Sequence, residues 1–345
     1  MDERIRKAVG RGEGYVVGGA VRDELLGRPV VDLDVACRRP EKAARKFARG
    51  TRAAVFELSE RHGAWRVAFR GGRTVDFTQL KDTIHTDLGS RDFTINAIAR
   101  PVRGGDYVDP FGGRADLDAR RLRAVSPTIF SDDPVRLLRA VRLEDELGFQ
   151  LDADTETLVG EHAQLVTRPA GERTLAELER LSPAGFRRAH ELGLLALLGG
   201  SLERLARVDL RFADRPWFLL VTVFGDGIVR LPISNQLRRF ARTLLSAKRP
   251  SGATSRDLHR FRRSTEPWAL EALAFLGLPD LYEAVEQARR HDPRKPLLRG
   301  DELGLPSGPE IGRLLDLIAE ERAAGTISTR DDALSLVARE RRGDS

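Results

Sequence analysis

Two carboxylates one residue apart, Asp32 and Asp34 in the stretch VVDLDVA, are the side chains of this sequence best suited to metal-assisted chemistry. In an extended chain side chains alternate, so Val31, Leu33 and Val35 point one way and both aspartates the other. Two rises of about 3.3 Å separate the aspartates by about 7 Å along one face, close enough to hold divalent ions together with a substrate phosphate. Just upstream, Tyr15, Val16 and Val17 favour a strand, and Gly18-Gly19 lets the backbone turn sharply and lie against a ligand with no Cβ in the way. Ala20 to Leu26 suits a helix, whose amino end favours an anion; Arg22 adds a cation one turn in, and Gly27 and Pro29 end the helix. Strand, glycine turn, helix and aspartate strand thus form a phosphate cradle beside a carboxylate pair.

A third carboxylate comes from the next strands. AWRVAFR (64–70) and TVDFT (74–78) alternate as strands do, and Gly71-Gly72 between them suits a hairpin turn. Asp76 then projects from the face opposite Val75 and Phe77, where a neighbouring carboxylate could act on an attacking hydroxyl or complete a metal shell. Farther on, SDDPVRLLRAVRL (131–143) starts a helix with Asp133 as N-cap and Pro134 as first helical residue. At 100° per residue Arg136, Arg139 and Arg142 share an arc of roughly 120°, and Leu137, Leu138 and Val141 anchor another side.

Composition sets the class. With 345 residues, 41% of them hydrophobic, the chain can form two or three globular domains. It has no run of eighteen apolar residues and no apolar signal core in MDERIRKAVGRG, so no membrane is expected and the cytoplasm is the expected compartment. A single cysteine, Cys37, excludes an internal disulfide and a thiolate zinc cluster. The His291-Asp292 dipeptide lacks further ligands at metal spacing and points to no phosphohydrolase. The net charge is +6, yet residues 238–263 alone hold nine Lys or Arg against one Asp, a local +8. The cationic character is concentrated there, as a polyanionic partner would require.

Gly-Gly, a helix and Asp-Leu-Asp together form the signature of polymerase-beta-type nucleotidyltransferases. Within that group, GGAVRD followed by DLDVA resembles the class II tRNA nucleotidyltransferase and bacterial poly(A) polymerase family. Further stretches carry the likeness: RDFTINAIA (91–99), DYVDPFGGRADLDARRLRAV (106–125), SDDPVRLLRAVRL, GERTLAEL (171–178) and LRGDELGLPSGPEIGRLLDLI (298–318). The family's Arg-Arg-Asp reads Ser90-Arg91-Asp92 here, one guanidinium fewer.

The resemblance implies catalytic Asp32, Asp34 and Asp76, with two Mg2+ ions on the first two. Gly18, Gly19, Arg22 and Arg91 would meet the triphosphate of CTP or ATP, and Asp92 the ribose 2′-hydroxyl. Asp133 and Arg136 would read the base: cytosine and adenine present an amino donor beside a ring-nitrogen acceptor, which suits an accepting Asp and a donating Arg. Arg139 and Arg142 would lie nearer the phosphates or support the pocket, and Glu172, Arg173 and Glu177 would buttress the helix through ion pairs, an ordinary Arg173–Glu177 surface pair being the alternative. The implied substrate is the 3′ end of tRNA. Only KDTIHTDLGS (81–90) stands where CCA-adding relatives have a much longer loop tied to the switch from C to A, as in relatives that add only CC and leave the last A to a separate A-adding enzyme. The alternatives are a poly(A) polymerase and a catalytically silent RNA-binding protein.

The expected fold is α+β: a nucleotidyltransferase head on a mixed sheet (1–126), a helical neck with the base-reading helix (127–200), and a helical, tRNA-binding body and tail (201–345).

Overall fold

The computed structural model describes residues 2–60, 63–80, 82–291 and 295–343. Asp292 of the His-Asp dipeptide lies outside them. The chain divides into two compact units, Met1–Leu198 and Gly199–Ser345, and the expected head and all but the last two residues of the expected neck fall in the first.

The first unit runs α1 (Asp2–Val9), β1 (Gly14–Val17), α2 (Gly19–Leu25), β2 (Leu33–Cys37), α3 (Pro40–Ala48), β3 (Ala54–Ser59), β4 (Ala64–Ala68), β5 (Thr74–Gln79), α4 (Ile84–Gly89) and β6 (Ala99–Pro101). It continues with α5 (Gly113–Asp118), β7 (Arg121–Leu122), α6 (Ile129–Asp132), α7 (Arg136–Leu147), β8 (Gln150–Leu151), α8 (Ala153–His162), α9 (Gly171–Leu178), α10 (Pro183–Glu191) and α11 (Leu194–Leu197). Six strands form one sheet in the order β3-β4-β5-β2-β1-β6. Within this sheet the central β2–β5 pair is parallel and the other pairs are antiparallel, which makes it mixed; β7 and β8 form a separate parallel pair.

Alternation along the strands builds two cores. Val35, Val67, Val75 and Phe77 are buried, and Phe47 of α3 packs its ring against Phe69 and Phe77. Val17 and Ala36 instead join Leu80, Ile84, Leu88, Ala97 and Ala99 in a second cluster. Burial on this scale, at about 25 cal/mol per Å² of apolar surface, is what holds the strands in register.

The hairpin forms as expected, with β4 antiparallel to β5 and both Gly71 and Gly72 at positive φ. Two expectations need correction. The aspartate strand starts at Leu33, leaving Val31 exposed and Asp32 one residue ahead of it, because β1 ends in the glycine turn and its pairing reaches only Val17↔Asp34. The helix expected from 131 is broken: α6 stops at Asp132 and α7 begins at Arg136. Asp133 precedes proline, which disfavours the helical region, and takes φ −150° and ψ 93°. Its side chain caps no helix.

The second unit is helical: α12 (Pro216–Phe224), α13 (Asn235–Ser246), α14 (Ser255–Thr265), α15 (Ala269–Phe275), α16 (Tyr282–Arg290), α17 (Pro309–Ala323) and α18 (Arg330–Gly343). Residues 218–224 of α12 are all buried, so this apolar helix is a core element. Leu298, Leu303, Leu314, Ile318 and Val337 form a further core. Among the described residues no single helix is long and apolar enough to cross a membrane.

Candidate active site

The chain leaves β1 through Gly18 at φ 72° and ψ −145°, backbone that only glycine adopts without strain. The Gly18 carbonyl then accepts from the N–H groups of Val21 and Arg22 at 3.1 and 3.3 Å, which starts α2. A Cβ on Gly18 would lie 2.8 Å from Arg91 Nη1 and 3.3 Å from Asp34 Oδ2. Residues 18, 34 and 91, apart in sequence, therefore converge on one point beside the glycine backbone.

Asp34 sits on β2 between two other carboxylates. Burial pushes its carboxyl above the ordinary value; Arg91 opposes this, and Asp76 and Asp32 add to it. A cation placed there would relieve that crowding. Asp32 is exposed and tied to the start of β5, its Oδ1 accepting from the Thr74 N–H at 3.1 Å and the Thr74 hydroxyl at 2.8 Å. Asp76 lies opposite Asp34 in the β2–β5 ladder, but Arg66 of β4 takes both its oxygens, Nε to Oδ1 at 2.8 Å and Nη2 to Oδ2 at 2.6 Å. The third carboxylate is thus brought to the site already paired.

The described residues contain no cluster of three or more His, Cys, Asp or Glu arranged to hold a metal. Asp32 and Asp34 still fit a divalent ion of the Mg2+ kind, which is commonly held by one or two carboxylates and completes its shell with phosphate oxygens and water.

Arg91 donates to Asp87 of α4 at 3.2 Å, and its Nε is buried without a partner. Arg22 donates to Asn96 Oδ1 at 2.9 Å and to the adjacent Asp23. A Cβ on Gly19 would come 3.4 Å from Arg22 Nη2, so both arginines border the glycine turn.

Asp92 is buried, and both of its oxygens are used: Oδ1 accepts from the Phe93 N–H at 2.8 Å and from Asn96 Nδ2 at 3.0 Å, Oδ2 from Arg139 at 3.1 Å. Burial raises its carboxyl, but Arg139 and these donors outweigh it and hold the group below the ordinary range. Arg139 also donates to Glu177 at 3.0 Å, and Arg142 donates to the other Glu177 oxygen at 2.5 Å and to Glu146 at 2.6 Å. Arg139 and Arg142 therefore stand in a network running from Arg22 through Asn96 and Asp92 to α9.

Glu177 makes the ion pairs expected of a buttress. Arg173 does not pair with it along α9; it reaches Asp133. Arg136 donates to the Ser90 carbonyl at 2.8 Å and has its Nε 4.0 Å from Asp133. Sequence reasoning missed Arg66, Thr74, Asp87 and Asn96. Of these only Asn96 lay in a recognisable motif, and only strand pairing could have placed Arg66 opposite Asp76.

Residues 109–123 lock this side of the site. Asp116 is fully buried and accepts from Thr94 Oγ1, Arg121 and Arg123 at 2.7, 2.8 and 3.0 Å. That fixes the turn joining Asp92 to β6.

Comparison with known proteins agrees with the geometry. Residues 14–82 and 67–123 match the poly A polymerase head domain. The chain is 32% identical to a CC-adding tRNA nucleotidyltransferase of Geobacter sulfurreducens, over 94% of this chain and 91% of that one. It is also 32% identical to an A-adding tRNA nucleotidyltransferase of Deinococcus radiodurans, over 92% and 83%. Among solved structures, the Bacillus stearothermophilus CCA-adding enzyme in complex with CTP superposes with a TM-score of 0.76 at 27% identity, covering 99% of this chain and 96% of that one. Sequence, sheet order and glycine–aspartate geometry converge, and the chain belongs to the class II tRNA nucleotidyltransferase and poly(A) polymerase family.

Proposed function

We propose that this protein adds nucleotides to the 3′ end of tRNA without a nucleic-acid template. The RNA 3′-hydroxyl oxygen forms a bond to the α-phosphorus of CTP or ATP, the bond to the β-phosphate bridging oxygen breaks, pyrophosphate leaves, and the hydroxyl proton passes to solvent. The observation that carries this reading is the convergence of Gly18, Asp34 and Arg91: a Cβ on Gly18 would lie 2.8 Å from Arg91 Nη1 and 3.3 Å from Asp34 Oδ2, so a backbone turn open to phosphate, a carboxylate and a guanidinium border one point.

Divalent-metal dependence is general to the family, and we take the ion to be Mg2+ held by Asp32 and Asp34; when bound it would acidify the attacking hydroxyl and offset charge on the leaving group. Gly18, Gly19, Arg22 and Arg91 position the triphosphate. Asp92, with Arg139, aligns the wall where the ribose lies. Asp133 and Arg136 read the base. Asp76 holds Arg66 beside the carboxylates. The head (1–126), neck (127–200) and body with tail (201–345) divide catalysis, base selection and tRNA binding, and the proposed compartment is the cytoplasm.

The short segment before Arg91 supports addition of C alone. It is a compact helix, α4, capped by the Thr83 hydroxyl accepting from the Thr86 N–H, with Ile84 and Leu88 sunk in a core. Relatives named CC-adding and A-adding are equally similar overall, so this local feature carries the distinction. The test is to count nucleotides added to a tRNA transcript ending at its discriminator base, with Mg2+, CTP and ATP together. A stop at two supports CC addition by an enzyme that relies on a separate A-adding partner; three would mean that α4 does not prevent the switch; a long A tract would mean a poly(A) polymerase; and RNA binding with no addition would mean a silent scaffold.

A further inference from the structure

Asp133 does not stand alone. Arg173 of α9, forty residues away, donates to both its oxygens, from Nη1 at 2.9 Å and Nη2 at 2.7 Å. Arg136, the other base-reading residue, approaches Asp133 only to 4.0 Å and donates instead from its two terminal nitrogens to the carbonyls of Ile129 and Ser90. One turn farther along α9, Glu177 holds Arg139 and Arg142. A single helix, through residues four apart, thus grips both α7 and the carboxylate ahead of it.

We propose that Arg173 is a specificity-determining positioning residue, which fixes the plane of the Asp133 carboxylate and so sets the preference for bases that present an amino donor. The inference rests on the base-reading role given to Asp133 above. A bidentate fork stops the carboxylate rotating, yet leaves each oxygen a second lone pair for a base amino group. It also favours the form that can only accept: burial raises the Asp133 carboxyl, and Arg173, with Arg136 and Arg139, more than reverses this. A protonated carboxyl could donate to the uracil carbonyl; the carboxylate held by the fork, which only accepts, cannot. Lysine would keep the charge but lose the plane.

The test measures kcat/KM for CTP and for UTP, on a tRNA lacking its terminal nucleotides, with the wild type, Arg173→Lys, Arg173→Gln, Asp133→Ala and the Asp133→Ala/Arg173→Gln double variant. Arg173→Gln should lower the CTP-to-UTP preference roughly tenfold, on the scale of one lost charge-assisted hydrogen bond. Arg173→Lys should fall between, and Arg173→Gln should change nothing further once Asp133 is alanine. Melting temperatures of all variants separate this from unfolding. If Arg173→Gln keeps the wild-type preference while Asp133→Ala loses it, the inference is overturned and the base-reading role stands. If Asp133→Ala itself keeps the preference, both fall.

Discussion

Asp34 and Asp76 face one another on the same rung of the parallel β2–β5 ladder, but Arg66 neutralises only Asp76. The two carboxylates therefore have different duties. Asp34 is left with its carboxyl raised by burial and by its acidic neighbours, an arrangement that favours a bound cation over an empty site.

Replacing Asp34 with Asn should abolish nucleotide addition, by 100-fold or more, while metal-free stability holds or rises. The pH dependence follows from the raised value. Asp34 contributes stability that is fully present below its unfolded value and lost as pH rises through its folded value, so Asp34→Asn should flatten that part of the urea-stability profile. Asp76→Asn should instead leave Arg66 unpaired and cost about 1 kcal/mol, discounted because Arg66 is partly exposed. Urea melts and single-turnover assays on both variants check this; equal losses of activity and stability in the two would refute the division.

Gly18→Ala combines two faults. The alanine would sit at φ 72°, and its methyl would press on the Arg91 guanidinium. A destabilisation of about 1–3 kcal/mol is expected with near-complete loss of addition, whereas Gly104→Ala, strained but facing open space, should keep activity.

Glu177 is buried between Arg139 and Arg142. Glu177→Gln leaves two guanidinium groups undercompensated, a cost of about 3 kcal/mol. Because it frees α7 from α9, KM for CTP should also rise. Full stability by chemical denaturation would show that the network is not cooperative.

The basic stretch divides in the second unit. On α14, Arg256, Arg260, Arg262 and Arg263 pair with Glu321, Glu320, Glu266 and Asp316. Among the described residues, the side chains of Arg238, Arg239, Arg242, Lys248 and Arg249 make no hydrogen bond or ion pair. If α13 meets RNA phosphates, Arg238→Ala, Arg239→Ala and Arg242→Ala together should weaken tRNA binding and reduce the slope of log affinity against log salt by about 2–3. Arg263→Ala should leave the slope unchanged. The reverse pattern would move the RNA path to α14.

What the sequence determined by itself is local. Strand-forming valines, two glycines and alternating aspartates fix the cradle because each depends on backbone geometry within a few residues, and the Gly71-Gly72 hairpin is legible for the same reason. The mixed sheet and the helical second half follow from the same patterns together with the family resemblance. Tertiary structure decided which charges remain available. Asp133 is claimed by Arg173, Asp76 by Arg66, and Arg256, Arg260 and Arg263 of α14 by acids of α17, through contacts between residues ten to sixty-five positions apart. No periodicity encodes such pairs: a guanidinium pairs with whichever carboxylate packing brings within about 3 Å, and only the folded chain fixes that distance.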